Sequence, residues 1–378
     1  MCIYLLLDIF AFILVILGFN KNTDIKDKYL LLVCMAWAFI TGFRAYTVGN
    51  DTLAYADFFS GRPGFFGTID YPREDMEIGF VYLAKILTTI SINPTFSFTV
   101  ISFLFFLTIN YLYRHVNRDN ALWSFAFFIT FNYGFYSTIQ SAVRQTASIS
   151  MFLLGVYLLQ IVKERETTIK WYKNRGYIKP ILLLFISACI HKTSLFLFPL
   201  ILLCFFVKIN KKIAYLLICL SLVISIAFSN YIGLFFDFSM SLISDSSNEM
   251  ISHLDNYSES LSDQSMNIFG CALRTFVYLI IVYYTDKEKT DDIYFNNLIL
   301  SIVMFNLFFT SFQFQRIALV FTILAGAVYI PQAVMVKRKA RIIFGGLSLL
   351  YLYRAFISYS TWVESGGDSS LPYLFIWD

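Results

Sequence analysis

The sequence predicts an all-α fold, a polytopic integral membrane helical bundle of about 10–12 transmembrane helices with a re-entrant or interfacial helix. Hydrophobic residues make up 58% of the 378 residues and charged residues only 14%. A soluble protein of this length would need far more charge to cover its surface. Apolar runs of roughly 20 residues, the length that a helix needs to cross a bilayer, recur along the chain.

The apolar runs predict ten spans and two irregular segments within one transmembrane domain, 1–378. The spans are expected at 2–19, 29–43, 95–113, 121–137, 143–162, 215–235, 267–284, 294–310, 317–335 and 342–359. Residues 77–92 are apolar but short and contain Lys85, which favours an interfacial or re-entrant helix. Residues 180–206 exceed one straight span and predict a tight hairpin or a broken helix with His191 at its tip.

The distribution of charge among the loops orients the bundle. Lys and Arg cluster in the segments 21–28, 114–118, 163–179, 208–212 and 337–341. The positive-inside rule places these segments in the cytoplasm. The Ser-rich loop 236–266 has acidic residues but no Lys or Arg, and it is expected outside together with 44–76 and 361–378.

Composition also excludes several classes of ligand. The net charge of +4 is small and does not suggest nucleic acid. The six cysteines lie in or beside apolar runs without metal-binding or disulfide spacing. No cluster of carboxylates suggests a metal ion, so neither a metal nor a cofactor is expected.

Isolated charges collect in the predicted outer half of the bundle. They are Arg44, Arg144, His191, Arg274, Arg316 and Arg354. A charge within a membrane is costly, so it usually faces a partner or a wet cavity. The planar fork of arginine binds phosphate oxygens bidentately, and with few acidic residues nearby these arginines predict a diphosphate ligand. The alternative is that arginines at span ends, above all Arg354 and Arg274, snorkel to lipid headgroups.

Three residues are candidates for a general base that accepts a proton from a sugar hydroxyl, namely Asp51, Glu77 and His191. Glu77 is favoured slightly, because neighbouring apolar residues would raise its pKa. Each has a structural alternative: Asp51 and Glu77 as helix N-cap residues, and His191 as a hydrogen-bonded helix breaker. The Tyr and Phe residues of 46–71 are expected either to pack at the membrane interface or to form a platform for sugar rings.

Several of these residues occur in ordered motifs. The motifs are Phe43-Arg44-x4-Gly49-x-Asp51-Thr52-x2-Tyr55, Glu77-Ile78-Gly79-Phe80, Ser141-x2-Arg144-Gln145, His191-x2-Ser194, Gln315-Arg316 and Leu371-Pro372-Tyr373. In their order and spacing they resemble the EpsG-type branch of the Wzy-like polysaccharide polymerases. Lys192 departs from the pattern, because a small or aromatic residue is expected after the histidine.

The resemblance implies a glycosyltransferase of the bacterial inner membrane that joins undecaprenyl-diphosphate-linked oligosaccharide units at the outer face. The product would be O-antigen, capsule or exopolysaccharide. Membrane lipid, a chain-length regulator and a flippase are the expected partners. The resemblance implies that the site is lined by Arg44, Asp51, Glu77, Arg144, His191 and Arg316. The predicted substrate-binding residues also include Arg274, Gln140 and Tyr55.

Two other functions remain open from the sequence. A lipid-linked oligosaccharide flippase or transporter would also bind diphosphate with arginines, but it should carry polar groups deep in many helices. A membrane acyltransferase that modifies surface glycans should have a catalytic histidine near a cytoplasmic acyl donor, whereas His191 is expected outside.

The predicted orientation can be tested with single cysteines in a cysteine-free variant. Cysteines in 44–76 and 361–378 should react with an impermeant maleimide in intact spheroplasts, and cysteines in 163–179 should react only after lysis. The physical reason is the retention of Lys and Arg on the cytoplasmic side. Labelling of 163–179 in intact spheroplasts, with 44–76 unlabelled, would reverse the orientation.

Overall fold

The structure is a computed structural model, and it confirms the all-α fold class. It describes residues 3–74, 76–132, 135–165, 175–243, 268–288, 290–309, 312–365 and 373–377, without the side chains of 165, 175, 196, 228–243, 312–317 and 361–365. Within these ranges the only β-structure consists of two isolated bridges, Arg44 with Phe375 and Gly67 with Pro72. Most of the predicted outer loop 236–266 lies outside the described residues.

The described residues form sixteen α-helices. In chain order they are α1 (Ile3–Gly18), α2 (Thr23–Gly42), α3 (Thr52–Phe59), α4 (Ile78–Ile90), α5 (Pro94–Asn117), α6 (Ala121–Phe131), α7 (Phe135–Ser141), α8 (Val143–Arg165), α9 (Ile178–Ile190), α10 (Thr193–Phe206), α11 (Lys211–Ile243), α12 (Ile268–Tyr284), α13 (Asp292–Leu307), α14 (Phe312–Gly326), α15 (Ala333–Val336) and α16 (Arg338–Ser365). A 3-10 turn, Arg175–Tyr177, precedes α9.

The chain divides into two compact units. Unit 1 comprises Met1–Leu200 and Val334–Asp378, and unit 2 comprises Ile201–Ala333. In unit 1, α5 packs against both α2 and α8, and α9 packs against both α8 and α4. In unit 2, α13 packs against α11 and α14. The single transmembrane domain stays a prediction.

Three of the described helices are long and apolar enough to cross a membrane, namely α5, α8 and α16. The caps of α5 are readable in the sequence, because the Asn93 side chain accepts a hydrogen bond from the Thr95 amide at 3.0 Å and Pro94 occupies the first turn. Arg114 and His115 lie in its last turn, where a cation is favourable. With 24 residues, α5 is about 36 Å long.

Basic segments of unit 1 meet at one end of α5. Arg114 and Arg118 both bond to Asp27 of α2, at 3.0 and 2.8 Å. His115 lies 3.3 Å from Glu164, near the end of α8. The segments 21–28, 114–118 and the start of 163–179 therefore lie together. They must do so if all three are on the same side of the membrane.

Several predicted boundaries need correction. The expected span 121–137 is interrupted, because α6 ends at Phe131 and α7 begins at Phe135. The expected span 317–335 is divided between α14 and the short α15, and the last helix runs from Arg338 to Ser365 instead of 342–359. The predicted short helix at 77–92 is present as α4, and the predicted break at His191 separates α9 from α10.

Gly79 allows α4 to approach the end of α9 closely. A Cβ on Gly79 would lie 2.6 Å from the backbone of Cys189, closer than real atoms pack. This contact brings the first turn of α4 beside the residues that precede His191. The glycine of the Glu77-Ile78-Gly79-Phe80 motif is therefore explained by packing.

We expect Gly79→Ala to lower the free energy of unfolding by about 1–3 kcal/mol, because the added methyl group forces α4 away from α9. Gly345→Ala in α16 is the matched control, since a Cβ there meets no atom within 4 Å. Alanine should raise helix stability at Gly345 by up to about 1 kcal/mol. The melting temperature of detergent-solubilised protein measures both changes, and equal values for the two variants would contradict the packing argument.

Candidate active site

The carboxylate of Glu77 joins three separate parts of unit 1. Its Oε2 accepts a hydrogen bond from Nη1 of Arg144 at 2.7 Å. Its Oε1 lies 2.9 Å from Nδ1 of His191 and accepts the backbone amide of Lys192 at 3.2 Å. The Glu77 side chain is 7% exposed, and those of Arg144 and His191 are 15% and 21% exposed. We call Glu77, Arg144 and His191 the Glu77 centre.

The break between α9 and α10 positions His191. Its backbone is extended, with φ of −154° and ψ of 125°, and its amide bonds to the carbonyl of Ser187 at 3.0 Å. The hydroxyls of Ser148, Ser187 and Ser194 lie 2.7–3.0 Å from one another. Because Ser148 belongs to α8, this buried cluster fixes both sides of the break to α8. The serine of the His191-x2-Ser194 motif thus holds the histidine in place.

Arg144 lies in the first turn of α8, where the helix dipole disfavours a cation. Its pairing with Glu77 offsets that cost. Its Nε donates to the hydroxyl of Tyr55 at 3.0 Å, and Nη1 also contacts Sδ of Met76 at 3.3 Å. The guanidinium carbon lies 5.2 Å from the centre of the Phe66 ring. The expectation that the outer arginines lack acidic partners is therefore wrong for Arg144.

The pKa of Glu77 is shifted in the direction opposite to the one expected from the sequence. Burial by itself raises this pKa, but the hydrogen bond from His191 and the charge of Arg144 outweigh burial and lower the pKa to about 2. Glu77 is therefore a carboxylate at neutral pH and a weak base. The idea that its side chain caps α4 is also wrong, because it makes no capping hydrogen bond.

The carboxylate determines which nitrogen of His191 carries a proton. An ionised Glu77 only accepts hydrogen bonds, so Nδ1 of His191 must be the protonated donor. In the neutral ring Nε2 then has a lone pair, and no hydrogen bond to Nε2 occurs among the described residues. His191 can accept a proton at Nε2 while Glu77 stabilises the resulting imidazolium.

Arg44 lies in a second cluster, which is buried. Only 1% of Arg44 is exposed, and its guanidinium donates to the carbonyl of Thr41 and, at 2.8 Å, to that of Gln140. These carbonyls belong to the C-terminal ends of α2 and α7, where a cation is favourable. The ring of Phe98 lies 4.6 Å from the guanidinium carbon. The contacts of Arg44 thus hold two helix ends together in the interior, away from any open surface.

Gln140 and Asp51 flank these clusters. The side chain of Gln140 is completely buried, and its Oε1 accepts a hydrogen bond from the hydroxyl of Tyr4 at 2.8 Å. Asp51 precedes α3 without a side-chain capping bond. It lies one turn before Tyr55, which bonds to Arg144. Asp51 is therefore near the Glu77 centre but makes none of the contacts within it that are described above.

Arg274 and Arg316 belong to unit 2. Arg274 in α12 stacks on Phe305, with its guanidinium carbon 3.9 Å from the ring centre. The backbone of Arg316 lies in α14, and its side chain is outside the described residues. Their expected role in the site stays a prediction.

The sequence did not single out Met76, Phe66, Ser148 or Ser187 as neighbours of the charged residues. A signal for the serines exists, because Ser148 follows Arg144 by one helical turn and Ser187 precedes His191 by one turn. The departure at Lys192 also has an explanation. Glu77 bonds to the backbone amide of Lys192, a contact that any residue except proline can make.

The comparison with known families identifies the family of the chain. The model of the EpsG family matches residues 27–375, a range that includes both clusters. The chain therefore belongs to the EpsG family, and membership indicates a polysaccharide-polymerase-like glycosyltransferase in a membrane. No match to the chain is found among curated proteins or among solved structures.

The low pKa of Glu77 predicts a dependence of stability on pH. A carboxylate whose pKa falls from 4.5 to about 2 on folding stabilises the protein above pH 4.5, and this contribution disappears as the pH falls towards 2. The wild type should therefore melt at a higher temperature than Glu77→Gln at about pH 7, and the difference should shrink by about pH 3.

Glu74→Gln is the control for this comparison, since Glu74 is exposed and three residues away. It should melt like the wild type at both pH values. A difference between wild type and Glu77→Gln that stays constant from neutral to acidic pH would contradict the ion pairing of Glu77.

Proposed function

We propose that the protein is a polysaccharide polymerase that joins undecaprenyl-diphosphate-linked oligosaccharide units at the outer face of the bacterial inner membrane. The main support is the Glu77 centre, in which a carboxylate, a histidine and an arginine from three motifs are in direct contact. Family membership supports the same class of reaction.

We assign the role of general base to His191. The acceptor sugar hydroxyl gives its proton to Nε2, and its oxygen forms a bond to the anomeric carbon of the donor. Glu77 holds the ring through Nδ1 and stabilises the imidazolium. His191 suits this task because Nε2 keeps a lone pair while Glu77 holds the ring at Nδ1, whereas a carboxylate with a pKa of about 2 accepts protons poorly. Glu77 then orients the base, and Asp51 is the alternative base.

We assign Arg144 to the leaving group. As the bond between the anomeric carbon and the diphosphate oxygen breaks, its electron pair passes to the diphosphate. A fixed cation that binds this growing charge lowers the barrier. Arg144 is suited to the task because it is partly exposed and is positioned by Glu77 and Tyr55. The buried Arg44 would contribute by holding the helix ends, and a metal ion is not required for this charge stabilisation.

A deletion strain complemented with single variants tests this function. Wild-type protein should restore long surface polysaccharide on electrophoresis, whereas His191→Asn should leave single repeat units outside the cell. Arg144→Lys should reduce chain extension roughly tenfold to a hundredfold, because lysine keeps the charge but loses the planar fork. Glu77→Gln should also impair extension, and treatment with EDTA should not affect the wild type.

Lys192→Ala is the matched control, because Glu77 bonds only to the backbone amide of this residue. It should restore polymer of normal length. Normal polymer from His191→Asn at an equal membrane level would contradict the proposed base. Repeat units that accumulate inside the deletion strain would indicate a flippase, and full-length polymer that lacks a substituent would indicate an acyltransferase.

A further inference from the structure

A groove of mixed apolar and polar lining lies between the loop 60–71 and the second half of α4. Its volume is about 640 Å³. The hydroxyls of Ser60, Thr68, Thr88 and Thr89 line it. None of the residues of the Glu77 centre lines this groove, and the proposed reaction does not use it.

The rim of the groove is a fixed turn that presents an aromatic ring. Gly67 adopts a positive φ of 74°, and a Cβ there would lie 2.4 Å from the carbonyl oxygen of Tyr71, so only glycine fits. The amide of Thr68 donates to this carbonyl at 3.1 Å, and the Tyr71 amide donates to the Thr68 hydroxyl at 3.1 Å. The Tyr71 side chain is nevertheless 85% exposed. A large ring held outward on an ordered turn is suited to stack on a ligand.

The hydrogen-bonding capacity of the groove is mostly that of an acceptor. The hydroxyls of Ser60, Thr88 and Thr89 donate to backbone carbonyls of their own helices at 2.6, 2.9 and 2.8 Å. Each hydroxyl has a single proton, so these groups offer only lone pairs to a ligand. The cation of the groove, Lys85, lies 3.8 Å from the carboxylate of Asp70, which compensates its charge.

This pattern favours a carbohydrate over a lipid phosphate. Phosphate oxygens accept hydrogen bonds and would find few donors, because the hydroxyl protons of Ser60, Thr88 and Thr89 are already used and the carboxylate of Asp70 lies beside Lys85. Sugar hydroxyls both donate and accept, so they fit the acceptor groups, the ammonium group of Lys85 and the carboxylate of Asp70. The apolar face of a sugar ring fits against Tyr71.

We propose that this groove binds the growing glycan at a point remote from its reacting end. The inference rests on the proposed polymerase function. Glu77 precedes α4 and Lys85 lies eight residues later, which corresponds to a distance of about 12 Å along the helix. A glycan that runs along α4 would connect the Glu77 centre with the groove. Its retention between additions would lengthen the product without any effect on the bond-forming step.

Binding is tested directly with purified full-length protein in nanodiscs. The probe is a set of oligosaccharides released by mild acid from the surface polysaccharide of the host strain, and saturation-transfer NMR detects their binding. We expect roughly tenfold weaker binding by Tyr71→Ala, because it loses the stacking ring. Tyr71→Phe should bind like the wild type. Tyr82→Ala is the matched control, since Tyr82 is a 61% exposed tyrosine of α4 outside the groove.

Chain length in the complemented deletion strain provides the second measurement. Tyr71→Ala should give shorter polymer than the wild type, and Tyr71→Phe and Tyr82→Ala should give normal length. Equal binding and equal chain length for Tyr71→Ala and wild type would overturn the proposal. The proposal would also be overturned if the wild type showed saturation transfer to lipid headgroups but not to the oligosaccharides, and if Tyr71→Ala abolished that transfer.

The two proposals can fail separately. His191→Asn should still bind the oligosaccharides, because the groove does not include the base. If His191→Asn abolishes extension and the wild type binds no oligosaccharide, the polymerase stands and the glycan groove is wrong. If the wild type binds but His191→Asn extends chains normally, the assignment of the base is wrong and the groove stands.

Discussion

The candidate active site depends on the contacts made by the Glu77 carboxylate. It bonds to Arg144, His191 and the amide of Lys192, and these groups belong to segments that are far apart in the sequence. Without the carboxylate, a cation in the first turn of α8 would have neither its acidic partner nor a favourable helix dipole. The histidine would lose the group that fixes its protonated nitrogen. Most of this contact is buried, so the removal of one partner leaves the other groups unsatisfied.

Packing accounts for more of the motif residues around Glu77 than the proposed reaction does. Gly79 permits the approach of α4 to α9, and the cluster of Ser148, Ser187 and Ser194 fixes the histidine. Such small polar residues are the usual means by which helices associate in a membrane, where no hydrophobic force drives association. Several motif residues are therefore positioning residues, and only a few face the reacting groups in the proposed mechanism.

The second cluster shows how one arginine can serve the fold. Arg44 is buried beside the ends of α2 and α7, and it satisfies carbonyls that have no partner within their own helices. The turn after α2 and the break before α8 are thereby joined. Arg144 lies just after that break, so the position of the Glu77 centre also depends on Arg44.

The sequence by itself determined the fold class, the short helix at 77–92, the break at His191 and the family, because hydropathy, chain breaks and motif order are local properties. It also brought Glu77, Arg144 and His191 into one set of candidates. Only the tertiary structure decided how these side chains are paired. The pKa of Glu77 was expected to rise, but it falls because Arg144 and His191 lie against it. Arg44 and Arg144 look alike in the sequence, yet one is buried against helix ends and the other is partly exposed beside a carboxylate. These differences depend on which groups meet across distant segments, and such contacts leave no periodic or compositional signal in a single sequence.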